Sequence, residues 1–256
     1  MKSISKILTL LLLAGCAVLV PARAARAEFL GSAISIQIWT GGANLGHYEL
    51  NVAIPSDPWG WELSAPVVIY SADNPNTLLA TIDSLGIYLD GDPAVNLSFA
   101  VTAGPTPTLI SVASSTVVFA PLNGADAFAT AALSITDGNG NGATAVGIFP
   151  GNKAYQASYN GGSVFAQLVS PVVAGANDSA IGTERDPLTG TFVIPGATSS
   201  IQSQFSFVLS AFDSASGTSR FQVNIPGNNI PEPSTWVLAS MAAVGGLWMK
   251  RRRRHR

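Results

Sequence analysis

Away from its two ends the chain has one histidine, His47, and no cysteine. A Ser-His-Asp relay would have to run through His47, which stands beside Tyr48 after Leu45-Gly46, and no Gly-x-Ser-x-Gly elbow accompanies it. A structural or surface role is the expectation for this imidazole. Zinc sites take several His or Cys ligands, and these are absent. The 15 acidic residues could supply a carboxylate pair for glycoside hydrolysis. Most of them, however, sit in turn motifs, where Asp serves chain conformation. No glycine-rich phosphate loop is present. The residue types predict a protein that is not an enzyme.

Two patterns point to binding instead. Asp137-Gly138-Asn139-Gly140-Asn141-Gly142 places oxygen side chains at alternate positions and glycine at the sixth. That is the first half of a calcium loop, with Asp137, Asn139 and Asn141 as ligands. The twelfth position, where a bidentate Glu belongs, is Ile148. A glycine-rich hairpin tip accounts for the same residues without a cation, so no cofactor is required and calcium is the one candidate. The second pattern is aromatic. Trp39, Trp59 and Trp61 cluster in the N-terminal third. Trp39 and Trp61 are expected in the core. Trp59, within Asp57-Pro58-Trp59-Gly60, is the ring expected outside, where it could stack on a sugar.

The elements that must position these residues are strands. Ile34–Trp39, Tyr48–Ile54, Val95–Val101 and Phe205–Ala211 alternate apolar and polar in period two. Val117–Phe119, Ser163–Val169 and the alanine-rich stretch 125–132 are read as further strands. Turn chemistry recurs between them, as at Asn74-Pro75-Asn76, Asp90-Gly91-Asp92-Pro93, Asn123-Gly124 and Asn160-Gly161-Gly162. This predicts an all-β fold, an antiparallel β-sandwich, either one large or two small. The polar stretch Ser170–Asp186 is expected as a long loop, or as the break between two halves.

Charge excludes some partners. From Glu28 to Pro233 the only basic residues are Lys153, Arg185 and Arg220, against all 15 acidic residues, a formal −12. Such a surface repels nucleic acid and anionic lipid. The only cysteine is Cys16, so no disulfide framework supports the body.

The ends read as targeting segments. Lys2 and Lys6 precede an apolar run from Ile7 to Val20, and Ala25-Arg26-Ala27 offers a small-x-small cleavage site. Residues 1–27 are thus expected as a secretory signal peptide cut after Ala27. Leu13-Ala14-Gly15-Cys16 leaves lipidation at Cys16 as an alternative. At the other end, Pro231-Glu232-Pro233-Ser234-Thr235 leads into an apolar run, Trp236 to Met249, closed by Lys250 and Arg251, Arg252, Arg253 and Arg254. An apolar helix followed by a basic cluster inserts with the cluster on the cytoplasmic side. The run is shorter than the roughly 20 residues of a full span; snorkelling arginines extend its reach. The expected organisation is a signal peptide (1–27), an extracellular β-sandwich (28–223), a flexible linker carrying Pro231, Glu232 and Pro233 (224–233), and a transmembrane helix with an arginine-rich tail (234–256).

This order of Pro-Glu-Pro motif, apolar span and arginine tail resembles the PEP-CTERM sorting signal of bacterial exported proteins. The resemblance covers about the last tenth of the chain. It implies recognition of the tail by an exosortase after export by the secretion machinery. It also implies a membrane-anchored precursor, then a non-enzymatic protein of the cell surface or matrix, associated with extracellular polysaccharide or biofilm. A carbohydrate-binding module using exposed aromatics and a secreted glycoside hydrolase are the alternatives.

Overall fold

Period-two alternation becomes strand after strand in the computed structural model, which describes residues 28–40, 45–50 and 58–224. In chain order these are β1 (Glu28–Thr40), β2 (Leu45–Leu50), β3 (Trp59–Glu62), β4 (Val67–Tyr70), β5 (Leu78–Asp90), β6 (Ala94–Ala103), β7 (Thr108–Asn123) and β8 (Asp126–Thr136). There follow β9 (Ala143–Gly147), a 3-10 turn (Pro150–Asn152), β10 (Tyr155–Tyr159), β11 (Ser163–Leu168), β12 (Val172–Ala174), β13 (Ser179–Asp186), β14 (Phe192–Val193), β15 (Ala197–Leu209) and β16 (Ser214–Asn224).

They form two antiparallel sheets, as a β-sandwich requires. The first has the order β11-β10-β15-β7-β1-β2, with β9 on β15 and β12 on β9. The second has the order β13-β8-β16-β6-β5-β3, with β14 on β8 and β4 on β5. Apolar residues of both inner faces form one core. On β1 the inward set is Ile34, Ile36 and Ile38, each fully buried. On β6 it is Val95, Leu97, Phe99 and Val101. Aromatic rings close the gap between the sheets: Phe99 meets Phe205 edge-on at 5.1 Å and Phe207 at 5.9 Å, and Phe165 stacks on Phe221 at 5.2 Å. Burying rings of this size contributes about 2–3 kcal/mol each. A single core spanning both sheets answers the choice between one sandwich and two.

The alanine-rich stretch is a central strand. Ala127, Ala129 and Ala131 face the core on β8, and β16 and β13 flank it. The loop expected over Ser170–Asp186 is a correction. Residues 172–174 and 179–186 are β12 and β13, and β13 pairs with β8 from Ser179↔Thr136 to Asp186↔Ala129. β13 is an edge strand whose half-buried positions hold Ala180, Gly182 and Glu184 while Ile181 faces solvent, so its sequence lacks the apolar alternation of an inner strand.

The signal peptide with Ala25 and Ala27, the lipidation alternative at Cys16, and the tail with Pro231, Glu232, Pro233 and Arg251 to Arg254 lie outside the described residues. So does the linker beyond Asn224. Among the described residues no helix is long and apolar enough to cross a membrane.

Candidate functional site

The tryptophans exchange the places expected of them. The turn ends at Pro58 and β3 begins with Trp59, so alternation sends Trp59 and Trp61 inward and Gly60 and Glu62 outward. Trp59 is 8 % exposed and belongs to the core. The expectation of an outward Trp59 ring is therefore wrong. Trp39 follows Ser35 and Gln37 on the outer face of β1, half-buried, opposite Leu109 of β7. His47 lies on β2 opposite Gln37.

The loop after β8 is stapled by its own acid. Asp137 Oδ1 accepts from the amides of Asn139 (3.2 Å) and Gly140 (3.0 Å), and Oδ2 accepts from Asn177 N at 2.6 Å. The Asn177 amide does most to lower this carboxyl, to about 2; burial opposes it, and the amides of Asn139, Gly142 and Gly140 reinforce it. Asn139 is likewise engaged: its Oδ1 accepts from Asn141 N and its Nδ2 donates to Ala211 O. Asp213, fully buried, accepts from Gly138 N at 3.0 Å and from the Ser210 hydroxyl. These bonds tie the β8–β9 turn to the β15–β16 turn. Both Asp137 oxygens face peptide donors, which stabilises the ionised loop without a cation. Among the described residues no three His, Cys, Asp or Glu side chains are grouped to hold a metal ion.

A serine, a lysine and a glutamate also converge. Lys153 Nζ lies 2.9 Å and 2.7 Å from the two Glu184 oxygens and 2.9 Å from Ser170 Oγ. Ser170 gives both its hydroxyl (2.7 Å) and its amide (2.8 Å) to Glu184 Oε1. Burial works to raise the Glu184 carboxyl; the bonds from Lys153 and Ser170 and the lysine charge outweigh it and hold it at about 2. An ammonium paired with a carboxylate has no lone pair to take a serine proton, so this trio is a clasp rather than a nucleophile. It joins β13 of the second sheet to segments flanking β10 and β11 of the first.

The outer face of the second sheet holds an open groove. Register places Glu62, Gly86, Ser98, Thr218, Ala132 and Thr183 in one row across the strands β3, β5, β6, β16, β8 and β13. The neighbouring row is Gly60, Tyr88, Asn96, Arg220, Thr130 and Arg185. The first row carries the small side chains. At Gly86 a Cβ would come within 2.5 Å of Ser98 Oγ, so only glycine leaves the floor open. The result is a groove of about 620 Å³ whose lining includes Tyr88, Asn96, Ser98, Thr218 and Glu62, adjoined at Thr218 by a second depression of about 300 Å³. Tyr88 is 39 % exposed. Arg185 and Arg220 both lie over the Phe128 ring, at 5.0 Å and 5.9 Å.

The alternation of Val95–Val101 already sent Asn96 and Ser98 outward. It carried no sign of Thr218 or Tyr88, which only the strand order brings alongside.

No family model matches the chain, and no curated protein matches it. Solved structures with some likeness include an arabinose-bound α-L-arabinofuranosidase, at 13 % identity and a TM-score of 0.25, over 63 % of this chain and 23 % of that one. The enzymatically active domain of tailspike protein 4 of bacteriophage CBA120 aligns at 13 % identity and a TM-score of 0.24, over 66 % and 19 %. A carbohydrate-binding module of the β-sandwich superfamily aligns at 8 % identity and 0.17, over 79 % and 98 %. The chain thus spans less than a quarter of the length of the first two. TM-scores of this size bear on neither fold, activity nor ligand.

Proposed function

We propose that this chain is a non-enzymatic protein exported to the cell surface or matrix, sorted through a PEP-CTERM-type tail by an exosortase and associated there with extracellular polysaccharide. The observation that carries this reading is the tail: Pro231-Glu232-Pro233, the apolar run Trp236–Met249 and the cluster Lys250 to Arg254, in that order at the C-terminal end of the sequence. A cysteine-free, acidic, all-β body fits an extracellular setting, where solubility and independence from redox conditions matter.

A second reading, a carbohydrate-binding module, is favoured by one observation. The groove on the second sheet presents hydroxyl, amide and aromatic groups together, the mixture that takes up sugars. Tyr88 then replaces Trp59 as the aromatic element. Hydrolysis is the weaker alternative: Glu62 is the one carboxylate in that lining, where a paired-carboxylate mechanism takes two.

Mass spectrometry of the protein from its native host tests the sorting. The expected mature chain lacks residues 1–27 and the apolar tail beyond the Pro231-Glu232-Pro233 region. A mature chain still ending at Arg256 leaves a plain membrane anchor and overturns exosortase processing.

A further inference from the structure

The body is strongly acidic, yet its few cations are not spread evenly. Lys153 is neutralised by Glu184 in the one ion pair found among the described residues. The other two, Arg185 and Arg220, stand in the same cross-strand row, on β13 and β16, separated only by Thr130 of β8. Neither has a carboxylate partner among the described residues. Arg185 Nη2 donates to Gly190 O at 2.6 Å, while its Nε is buried with no hydrogen-bond partner. Arg220 donates from Nε and Nη2 to Gln222 Oε1, at 3.1 Å and 2.6 Å. Phe128, in the next row beyond Thr130 and opposite Gln222, has both guanidinium groups against its ring, so the two arginines border the trough on its far side.

Beside this row runs the row of small side chains, Gly86, Ser98, Thr218, Ala132 and Thr183, with Tyr88 and Asn96 on its arginine side; Glu62, a carboxylate, closes its β3 end, away from the arginines. From β3 to β13 the face is six strands wide, about 24 Å at the usual strand spacing. A cationic edge along a hydroxyl-lined trough fits an extended chain of polar rings bearing regularly placed anionic groups.

We propose that the outer face of the second sheet binds an anionic polysaccharide of the uronate type. The chain would lie across the strands along Gly86, Ser98, Thr218 and Thr183. Its carboxylates would pair with Arg220 and Arg185, and one ring would stack at Tyr88. Guanidinium groups suit this role because their planar fork engages a carboxylate with two parallel bonds. This deepens the reading of the protein as polysaccharide-associated and rests on it for the ligand class. Nucleic acid, the other extended polyanion, meets the same formal −12 of the body; a single strand further takes a series of aromatic platforms for successive bases, and Tyr88 is the ring this trough turns outward.

The test is affinity electrophoresis of the full chain in a mild non-ionic detergent, through gels containing polygalacturonate, dextran or single-stranded DNA. Polygalacturonate should retard it, with dextran and DNA having much less effect. Arg220→Gln should weaken the polygalacturonate interaction about tenfold or more, and Arg220→Lys should keep part of it. Tyr88→Ala should weaken it about fivefold. Thr218→Trp, which fills the trough and leaves both arginines in place, should also abolish retardation. Thermal melts confirm that each variant remains folded.

Equal retardation by dextran would overturn the anionic ligand, and equal retardation by DNA would reduce the effect to charge alone and overturn the site. If no gel retards a chain that the native host still cleaves and displays, the site falls while the surface-protein reading stands. Retardation of a chain that the host leaves uncut at Arg256 supports the site and removes the sorting reading instead.

Discussion

Phe99 of β6 lies directly across Gly217 of β16: a Cβ built at position 217 would stand 2.3 Å from Phe99 Cε1 and 2.4 Å from Cζ. The two are cross-strand partners on the inner face, and the missing side chain of one is the space occupied by the other. From there the ring reaches Phe205 and Phe207 of the opposite sheet. The glycine thus sets where the two sheets meet.

Gly217→Ala should therefore destabilise the body by about 1–3 kcal/mol, because the Phe99 ring has no free space to retreat into. Phe99→Leu combined with Gly217→Ala should recover part of the loss, since the smaller side chain yields room. Urea denaturation of the three variants measures it. A Gly217→Ala chain as stable as the parent would show that the rings are loosely held.

The clasp at Glu184 makes a prediction in pH. Its carboxyl is held at about 2 against an ordinary 4.5, so the folded state favours the ionised form. Its contribution is complete above about pH 4.5 and fades as pH falls toward 2. Glu184→Gln should cost about 1 kcal/mol at neutral pH, a figure kept small because both partners are part-exposed. The difference between parent and variant should shrink steadily below pH 4.5. Thermal melts at stepped pH check the slope; a difference that stays constant down to pH 2 would remove Glu184 as the titrating group.

At the Asp137 loop, calcium and sodium at equal ionic strength should raise the melting temperature equally, through screening of an acidic surface. The loop's carboxylate oxygens already face the amides of Asn139, Gly140 and Asn177. A calcium-specific rise that Asp137→Asn abolishes would instead make Asp137, Asn139 and Asn141 a cation site.

Replacing Arg251 to Arg254 with neutral residues should impair membrane retention and orientation of the precursor, because the cluster is what holds the tail on the cytoplasmic side. Cell fractionation and protease accessibility would report it. Normal processing and display of that variant would show that the topological signal lies elsewhere.

What could be read from the sequence followed how local each signal is. Ile34, Ile36 and Ile38 announced β1 because one buried face imposes period two. The turns at Asp90–Pro93 and Asn160–Gly162 announced hairpins for the same local reason. β13 gave no such signal: its inward positions hold the small or polar residues Ala180, Gly182 and Glu184 while the apolar Ile181 faces solvent, so polarity does not mark its buried side. Trp59 was misplaced because its neighbours Asp57, Pro58 and Gly60 read as a turn, whereas the strand begins at the tryptophan itself. Of the groove only Asn96 and Ser98, outward on an alternating strand, were legible. Tyr88, Asn96 and Arg220 become neighbours only through the pairing of β5, β6 and β16, and strand order is a property of the whole sheet.

β16 is the last strand described, and it lies in the middle of its sheet, between β6 and β8. It is paired from Ser214↔Thr102 to Gln222↔Ala94 on one side and from Ser214↔Thr136 to Asn224↔Asp126 on the other. A pull applied through residue 224 along the strand would load both ladders in shear, with their hydrogen bonds resisting together rather than opening one after another. A chain tethered by its C-terminal end would therefore transmit drag into the strongest direction of the domain, and give way mechanically elsewhere first.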